Sequence, residues 1–303
     1  MSVATKISDL LGEEKPSVSF EVFPPKKDMP LEPVKSAVRA LANLSPSFIS
    51  VTYGAAGGDS SANTSAIAAF VQSCGVTALA HLTCVMATRA GIALEAKKLK
   101  TLGIGGILAL RGDIPPGADH PSPEHFSHAV ELVRYLKANF PQFTLGGACY
   151  PEGHPECEHL KDDIAFLKAK TDAGLDFLTS QMFFDNTVFY SYLAKIRSAG
   201  ITVPVLPGIM PVTNGRQIKR ICALSGAVLP QRFKAIVDRF GDDPAAMLDA
   251  GAAYATEQIV DLFANGVNHV HLYTMNKPET AARIMRNLGS IVTTGGLSGA
   301  AGL

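Results

Sequence analysis

Glu21, Thr52, His81 and Arg111 follow one another at intervals of about thirty residues, the length of one strand–helix unit. Each stands within or just after a run that reads as a β-strand. A carboxyl, a hydroxyl, an imidazole and a guanidinium that converge could move protons and hold an anion or a carbonyl group. Glu21 raises the sharpest question. In "VSFEVFPPKK", Val18, Phe20 and Val22 fall on one face of an extended chain, and Ser19, Glu21 and Phe23 on the other. An ionised carboxylate on a buried face is costly without a partner. Either that face looks into a cavity, or the fold carries Glu21 because it works. Taken singly, each of these positions also reads as an ordinary polar strand end.

Other stretches add candidates. "ALRGD" ends a strand with Arg111, Gly112 and Asp113; an internal Arg111–Asp113 ion pair is the alternative to a ligand-facing pair. "CYPEGHPECEH" is the densest polar cluster, with Tyr150 and His154. Its His154, Cys157 and His159 fit no standard zinc spacing, so no metal is expected. The helix expected after Pro155 offers its N-terminus to a phosphate or another anion. Gln181, in "TSQMFFDN", could pair with a heterocycle as donor and acceptor together, or be a satisfied buried amide. "LPGIMPVTN" is a Pro/Gly-bounded loop whose rigidity suits a pocket wall. "GIGG" precedes a strand, so it is not the dinucleotide fingerprint, and no P-loop, HExxH or GxSxG motif occurs.

The elements that must position these residues alternate. The β-like runs are "SVSFEVF", "SFISVTYG", "TALAHLTCV", "GGILALRGD", "FTLGGACY", "DFLTSQMFF", "VPVLPGIM" and "VNHVHLYTM". Amphipathic stretches such as "EPVKSAVRALANL" and "LKDDIAFLKAKTDAG" lie between them, several ending near a glycine. Strands alternating with helices argue for parallel βα units. Eight of them in 303 residues predict an α/β fold, a (β/α)8 TIM barrel, in a single domain, with a doubly wound open sheet as runner-up. Barrel active sites gather at the carboxyl ends of the strands, where the spaced polar residues fall. The seventh unit is long, so residues 213–265 should hold extra helices before the last strand. The expected division is an N-terminal extension 1–16, a catalytic barrel 17–290 and a flexible Gly-rich tail 291–303.

Composition narrows the function classes. With 47% hydrophobic and 18% charged residues, the chain can fill a sizeable core. Its formal net charge of zero leaves no basic surplus for nucleic acid. No apolar run nears the ~20 residues of a membrane span, and the first residues lack a secretory core. Five cysteines without a CxxC pair suit a reduced, cytoplasmic protein.

"FEVFPPK", "FISVTYGA", "AHLTCV", "ILALRGD", "CYPEGHPE", "KAKTDAG", "TSQMFFD", "LPGIMPV" and "VHLYTMN" occur in that order. Together they resemble the methylenetetrahydrofolate reductase family, of the bacterial type with a catalytic domain only. The resemblance implies a barrel that binds FAD at its carboxyl rim, NADH as reductant, and reduction of 5,10-methylenetetrahydrofolate to 5-methyltetrahydrofolate in one-carbon metabolism and methionine biosynthesis. It also implies a homo-oligomer. The imidazolidine ring of the folate must open before hydride arrives, which needs a proton on a ring nitrogen.

By position, Glu21 matches the family's general acid, and burial is expected to raise its pKa so that it stays protonated near neutral pH. Asp113 matches a carboxylate beside flavin and pterin that favours the cationic iminium. Flavin contacts are implied for Thr52, Tyr53, Ala55, His81, Arg111, Gly112, Asp113, Ser127, Tyr150, His154, Asp163 and Lys170. Substrate contacts are implied for Glu21, Thr52, Asp113, Gln181, Gln217 and Lys277. Lys277 stands where the family often has Arg, Ile221 where some relatives carry a stacking Phe, and Phe166 at a helix position that is polar in some. Three other readings stand beside this one: another flavin-dependent barrel, for example one oxidising an amino acid; the same reaction with electrons from a flavoprotein or ferredoxin; and a non-catalytic folate or flavin carrier.

Overall fold

In the computed structural model, residues 6–25, 28–53, 60–114 and 124–292 are described. The chain runs α1 (Ile7–Leu10), β1 (Ser17–Val22), α2 (Glu32–Ala42), β2 (Ile49–Val51), α3 (Ser60–Ser73), β3 (Ala78–Thr83) and α4 (Arg89–Thr101). It continues through β4 (Gly106–Leu110), α5 (Ala129–Asn139), β5 (Thr144–Cys149), α6 (Leu160–Asp172), β6 (Phe177–Ser180) and α7 (Asn186–Ser198). It ends with β7 (Val205–Leu206), β8 (Gly208–Ile209), α8 (Gly215–Ser225), α9 (Gln231–Phe240), α10 (Pro244–Ala264), β9 (His269–Tyr273) and α11 (Pro278–Leu288).

All strand pairs are parallel, in the order β7-β6-β5-β4-β3-β2-β1-β9-β8. β7 and β8 are halves of one strand position, split at Pro207, which has no N–H to give a ladder. β7 pairs with β6 and β8 with β9, so eight positions complete the ring. The fold is the expected (β/α)8 barrel, with its seventh strand broken. α8, α9 and α10 are the extra helices before the last strand.

Alternation along β1 decides which residues reach the interior. Val18, Phe20 and Val22 join Val38 and Leu41 of α2 in the main apolar cluster, between strands and helices. Each such side chain contributes roughly 1.5–3 kcal/mol when fully buried. Ser19 and Glu21 therefore face inward. The barrel floor is closed separately: Ile7 and Leu11 cluster with Phe48, Leu79, Leu108, Phe177 and Leu206. Gly106 makes this possible, because a Cβ there would come within 2.7 Å of Ile7 Cδ1. The apolar floor leaves the polar residues at the opposite rim.

Candidate active site at the carboxyl rim

Register brings the first cluster together. Glu21 pairs with Ser50 on β2 and with Tyr273 on β9. Its Oε2 lies 3.5 Å from His81 Nε2 and 3.7 Å from His271 Nε2, and the Ser50 hydroxyl donates to it at 3.4 Å. The Glu21 side chain is 19% exposed, against 7% for His81 and 2% for His271.

These neighbours overturn one expectation. Burial does push the Glu21 pKa up, but the His271 hydrogen bond, the charges of His81 and His271, and the Ser50 hydroxyl more than offset it. The net direction is down, so the carboxyl is ionised near neutral pH rather than protonated. His81 moves the other way for an imidazole: burial, opposed by Glu21, lowers its pKa to about 4. It is neutral at pH 7, and its buried Nε2 has no hydrogen-bond partner among the described residues.

Beside this cluster lies a cavity of about 760 Å³, within the range of cofactor and ligand pockets. Its walls include Tyr53, Arg111, Gly112, Asp113, Tyr150, His154, Asp163, Lys170 and Gln181, all singled out from the sequence. Arg111 does not pair with Asp113. Its guanidinium donates two parallel bonds to Glu156, each 2.6 Å. Gly112, at φ +85, takes the left-handed turn that carries Asp113 to the rim; a Cβ there would sit 2.9 Å from Thr83 Cβ.

Lys170 is half-buried in the cavity wall, and its Nζ donates to Ala148 O at 2.9 Å. Desolvation lowers its pKa, with Cys149 and Asp163 opposing. Desolvation raises the pKa of Asp163 and, with Asp163 and Asp113 near it, pushes Tyr150 up to about 12. Gln181 Oε1 accepts from Met182 N at 2.9 Å, which fixes the amide against the pocket.

Other expected residues fall elsewhere. Thr52 follows β2, bonded through its backbone to Val22 and Thr64; it is half-buried and outside the cavity wall. Ser127 and Gln217 are exposed, just before α5 and in the first turn of α8. Lys277 precedes α11 and donates to Thr213 Oγ1 at 2.9 Å, which ties it to the loop after β8. Phe166 reaches the cavity from α6, 64% exposed, whereas Ile221 packs against the Phe184–Phe233 cluster. Ala55 lies outside the described residues, as do 293–303. The helix expected after Pro155 starts at Leu160, with Asp162 and Asp163 in its first turn, and carboxylates there disfavour an anion at its N-terminus.

Four site residues escaped the sequence reading. Ser50, His271 and Tyr273 face inward beside Glu21, and Glu156 holds Arg111. Period-two alternation was the available signal: His269, His271 and Tyr273 share one face of β9, as Ser17, Ser19 and Glu21 share one face of β1. Nothing local marks Glu156, because its partner lies on a different loop.

A parallel eight-position barrel with a half-buried carboxylate between imidazoles, beside a cleft at the carboxyl rim, has the architecture of a barrel enzyme. The chain belongs to the methylenetetrahydrofolate reductase family, whose family model matches residues 6–289. It is 35% identical over 273 residues to "5,10-methylenetetrahydrofolate reductase" of Salmonella typhimurium, covering 90% of each chain. It is 34% identical over 305 residues to "Methylenetetrahydrofolate reductase (NADH) 1" of Zea mays, covering 96% of this chain but 51% of that one. The chain thus spans about half of the plant relative. Among solved structures, an uncharacterized Clostridium thermocellum protein that binds two copies of 5-methyl-5,6,7,8-tetrahydrofolic acid shares the fold, with TM-score 0.64 at 11% identity, covering 94% of this chain and 98% of that one.

Proposed function

We propose that this protein reduces 5,10-methylenetetrahydrofolate to 5-methyltetrahydrofolate with FAD as its cofactor and Glu21 as the proton donor. The observation that carries this reading is the inward Glu21 carboxyl, set between His81 and His271 beside a cavity whose donors suit a dinucleotide. Arg111 and Lys170 are cations for phosphate or the flavin ring edge, and Asp163 is a carboxylate able to accept from hydroxyls. Bound FAD would supply the hydride.

The remaining steps belong to the protein. Gln181 and Asp113 orient the pterin by hydrogen bonds. Glu21 gives its proton to the ring nitrogen of the folate, which opens the imidazolidine ring to the iminium. The Asp113 carboxylate favours that cation electrostatically. Because Glu21 is ionised before substrate binds, it needs a proton at the moment the pterin covers the rim. Loss of the remaining solvent strengthens the burial effect and favours the neutral carboxyl. Thr52, Tyr53, Ala55, His81, Gly112, Ser127, Tyr150 and His154 complete the flavin site in this reading, and Gln217 and Lys277 the folate site. The catalytic barrel spans 17–290, the N-terminal extension 1–16 and the tail 291–303.

NADH is the proposed donor, in a reducing cytoplasm consistent with five free cysteines. No helix among the described residues is long and apolar enough to cross a membrane. The relatives differ in the donor they are named for, NADH in Zea mays and NADPH in Caenorhabditis elegans, so the donor needs its own test.

Anaerobic absorbance spectra of the purified protein separate these readings. A yellow protein bleached by NADH and recoloured by methylenetetrahydrofolate has both half-reactions. One that ignores NADH but is reoxidised by the folate after dithionite keeps the reaction and takes its electrons elsewhere. A protein that cannot be loaded with FAD ends the proposal.

A further inference from the structure

We propose that His271 is a positioning residue that holds the proton Glu21 delivers, so that Glu21 and His271 act as one proton-sharing pair bridged by Ser50. The inference rests on the role of Glu21 given above.

Hydrogen-bond geometry fixes the imidazole. The Ser19 hydroxyl donates to Val270 O at 3.1 Å and lies 2.7 Å from His271 Nδ1. A hydroxyl has one hydrogen, so with that hydrogen on Val270, Ser19 accepts from Nδ1–H. Nε2 is then the nitrogen left without a hydrogen in the neutral ring, and it points at the site. It lies 3.1 Å from Ser50 Oγ and 3.7 Å from Glu21 Oε2, with Ser50 Oγ 3.4 Å from the same carboxylate oxygen. When Nε2 carries its proton, it donates to Ser50, and Ser50 donates to ionised Glu21. Transfer moves the Nε2 proton to Ser50 Oγ while the Ser50 proton passes to Glu21 Oε2. The products are a neutral imidazole and a neutral carboxyl. Charge is conserved within the pair, and no electrons move.

The surroundings isolate the pair. Phe48 stacks on the imidazole, with centroids 5.6 Å apart at 18°. The titratable groups facing it are Glu21 from β1, His81 from β3 and Tyr273 on its own strand. Tyr273 is committed, its hydroxyl donating to Ser180 O at 2.6 Å. His81 is neutral above about pH 4 and is not the reservoir near neutrality. Further down β9, His269 is bonded to Ser17 at 2.9 Å. On the other side of β9, β8 offers only Gly208 and Ile209.

The test is the pH dependence of one half-reaction. FAD-loaded enzyme is reduced with dithionite, mixed with methylenetetrahydrofolate, and reoxidation is followed by stopped flow. His271→Asn keeps a donor for Ser19 but cannot store a proton; His271→Gln is the second variant if the first does not fold. In both, the alkaline limb should move down by about one pH unit or more. A limb that stays in place, with or without a uniform loss of rate, overturns the pair. Glu21→Gln should lack folate reoxidation at every pH. If it turns over, the general-acid reading fails; if it is inactive but the His271 limb is unmoved, only the present inference fails. Nitrogen-15 spectra of histidine-labelled protein give a readout apart from activity: neutral His271 should carry its proton on Nδ1. The opposite tautomer overturns the relay.

Discussion

The Arg111 guanidinium and the Glu156 carboxylate face each other through two parallel N–H···O bonds of 2.6 Å, across the wall of the cavity proposed for FAD. This hydrogen bond, ahead of the opposing burial and the charge of Arg111, holds Glu156 below the usual carboxylate range. The pair puts an internal anion on the cation expected to meet the cofactor.

Glu156→Gln should therefore bind FAD about two- to fivefold more tightly, the span that one exposed ion pair allows. Titrating FAD into flavin-free protein, with fluorescence quenching as signal, measures this. Weaker binding would mean that Glu156 orders Arg111 for the cofactor instead of competing with it.

His81 gives the protein an acid-sensitive core. Its pKa is held at about 4 in the folded chain, against about 6.5 unfolded. The unfolded state therefore binds more protons as pH falls through this window. Stability should drop by about 3 kcal/mol between pH 6.5 and 4 from this group alone, levelling off below. The lowered Glu21 pKa adds loss only further down, as pH falls from its unfolded value through its folded one. Denaturant unfolding across this range should show a shallower slope for His81→Asn than for wild type. Equal slopes would mean that the imidazole is not buried neutral.

Gly251→Ala tests how α10 supports the rim. A Cβ at Gly251 would overlap the Val212 carbonyl oxygen, next to Thr213, which receives Lys277. Alanine is worth about 1 kcal/mol more than glycine inside a helix, but overpacking against backbone costs about 1–3 kcal/mol. The net should be a lower unfolding midpoint and a raised KM for the folate. A stabilised variant would show that the helix can withdraw at no cost.

Asp243 caps α10, accepting from Ala245 N at 3.0 Å and Ala246 N at 3.1 Å. Asp243→Ala should lower stability by about 1 kcal/mol without altering FAD binding. An unchanged midpoint in guanidinium unfolding would count against the cap.

The recurring strand–helix pattern and the rim rule were enough to place Arg111 and Asp113 at the rim, because they follow a strand and barrel strands all end on the same side; Tyr150 and Lys170 were expected there only from the family resemblance, and Lys170 lies in the last turn of α6. Gln217 and Ser127 carried no such constraint. They sit on helix starts whose rotation about the barrel is set by packing, and both face solvent. Pro207 was visible in "LPGIMP", but its effect was not. Only closure of the ring shows that it divides a strand pairing with β6 on one side and β9 on the other.

Glu21 shows the division most clearly. Alternation of apolar and polar residues along β1 determined, from sequence alone, that its carboxyl lies on the face opposite Val18, Phe20 and Val22. Which state that carboxyl adopts was decided by tertiary structure. His81 and His271 come from strands 60 and 250 residues away along the chain, and their approach to within 4 Å reverses the effect of burial. Direction along a strand is a local property of the backbone. Protonation depends on charges and dipoles converging from distant strands, and it exists only once the barrel has closed.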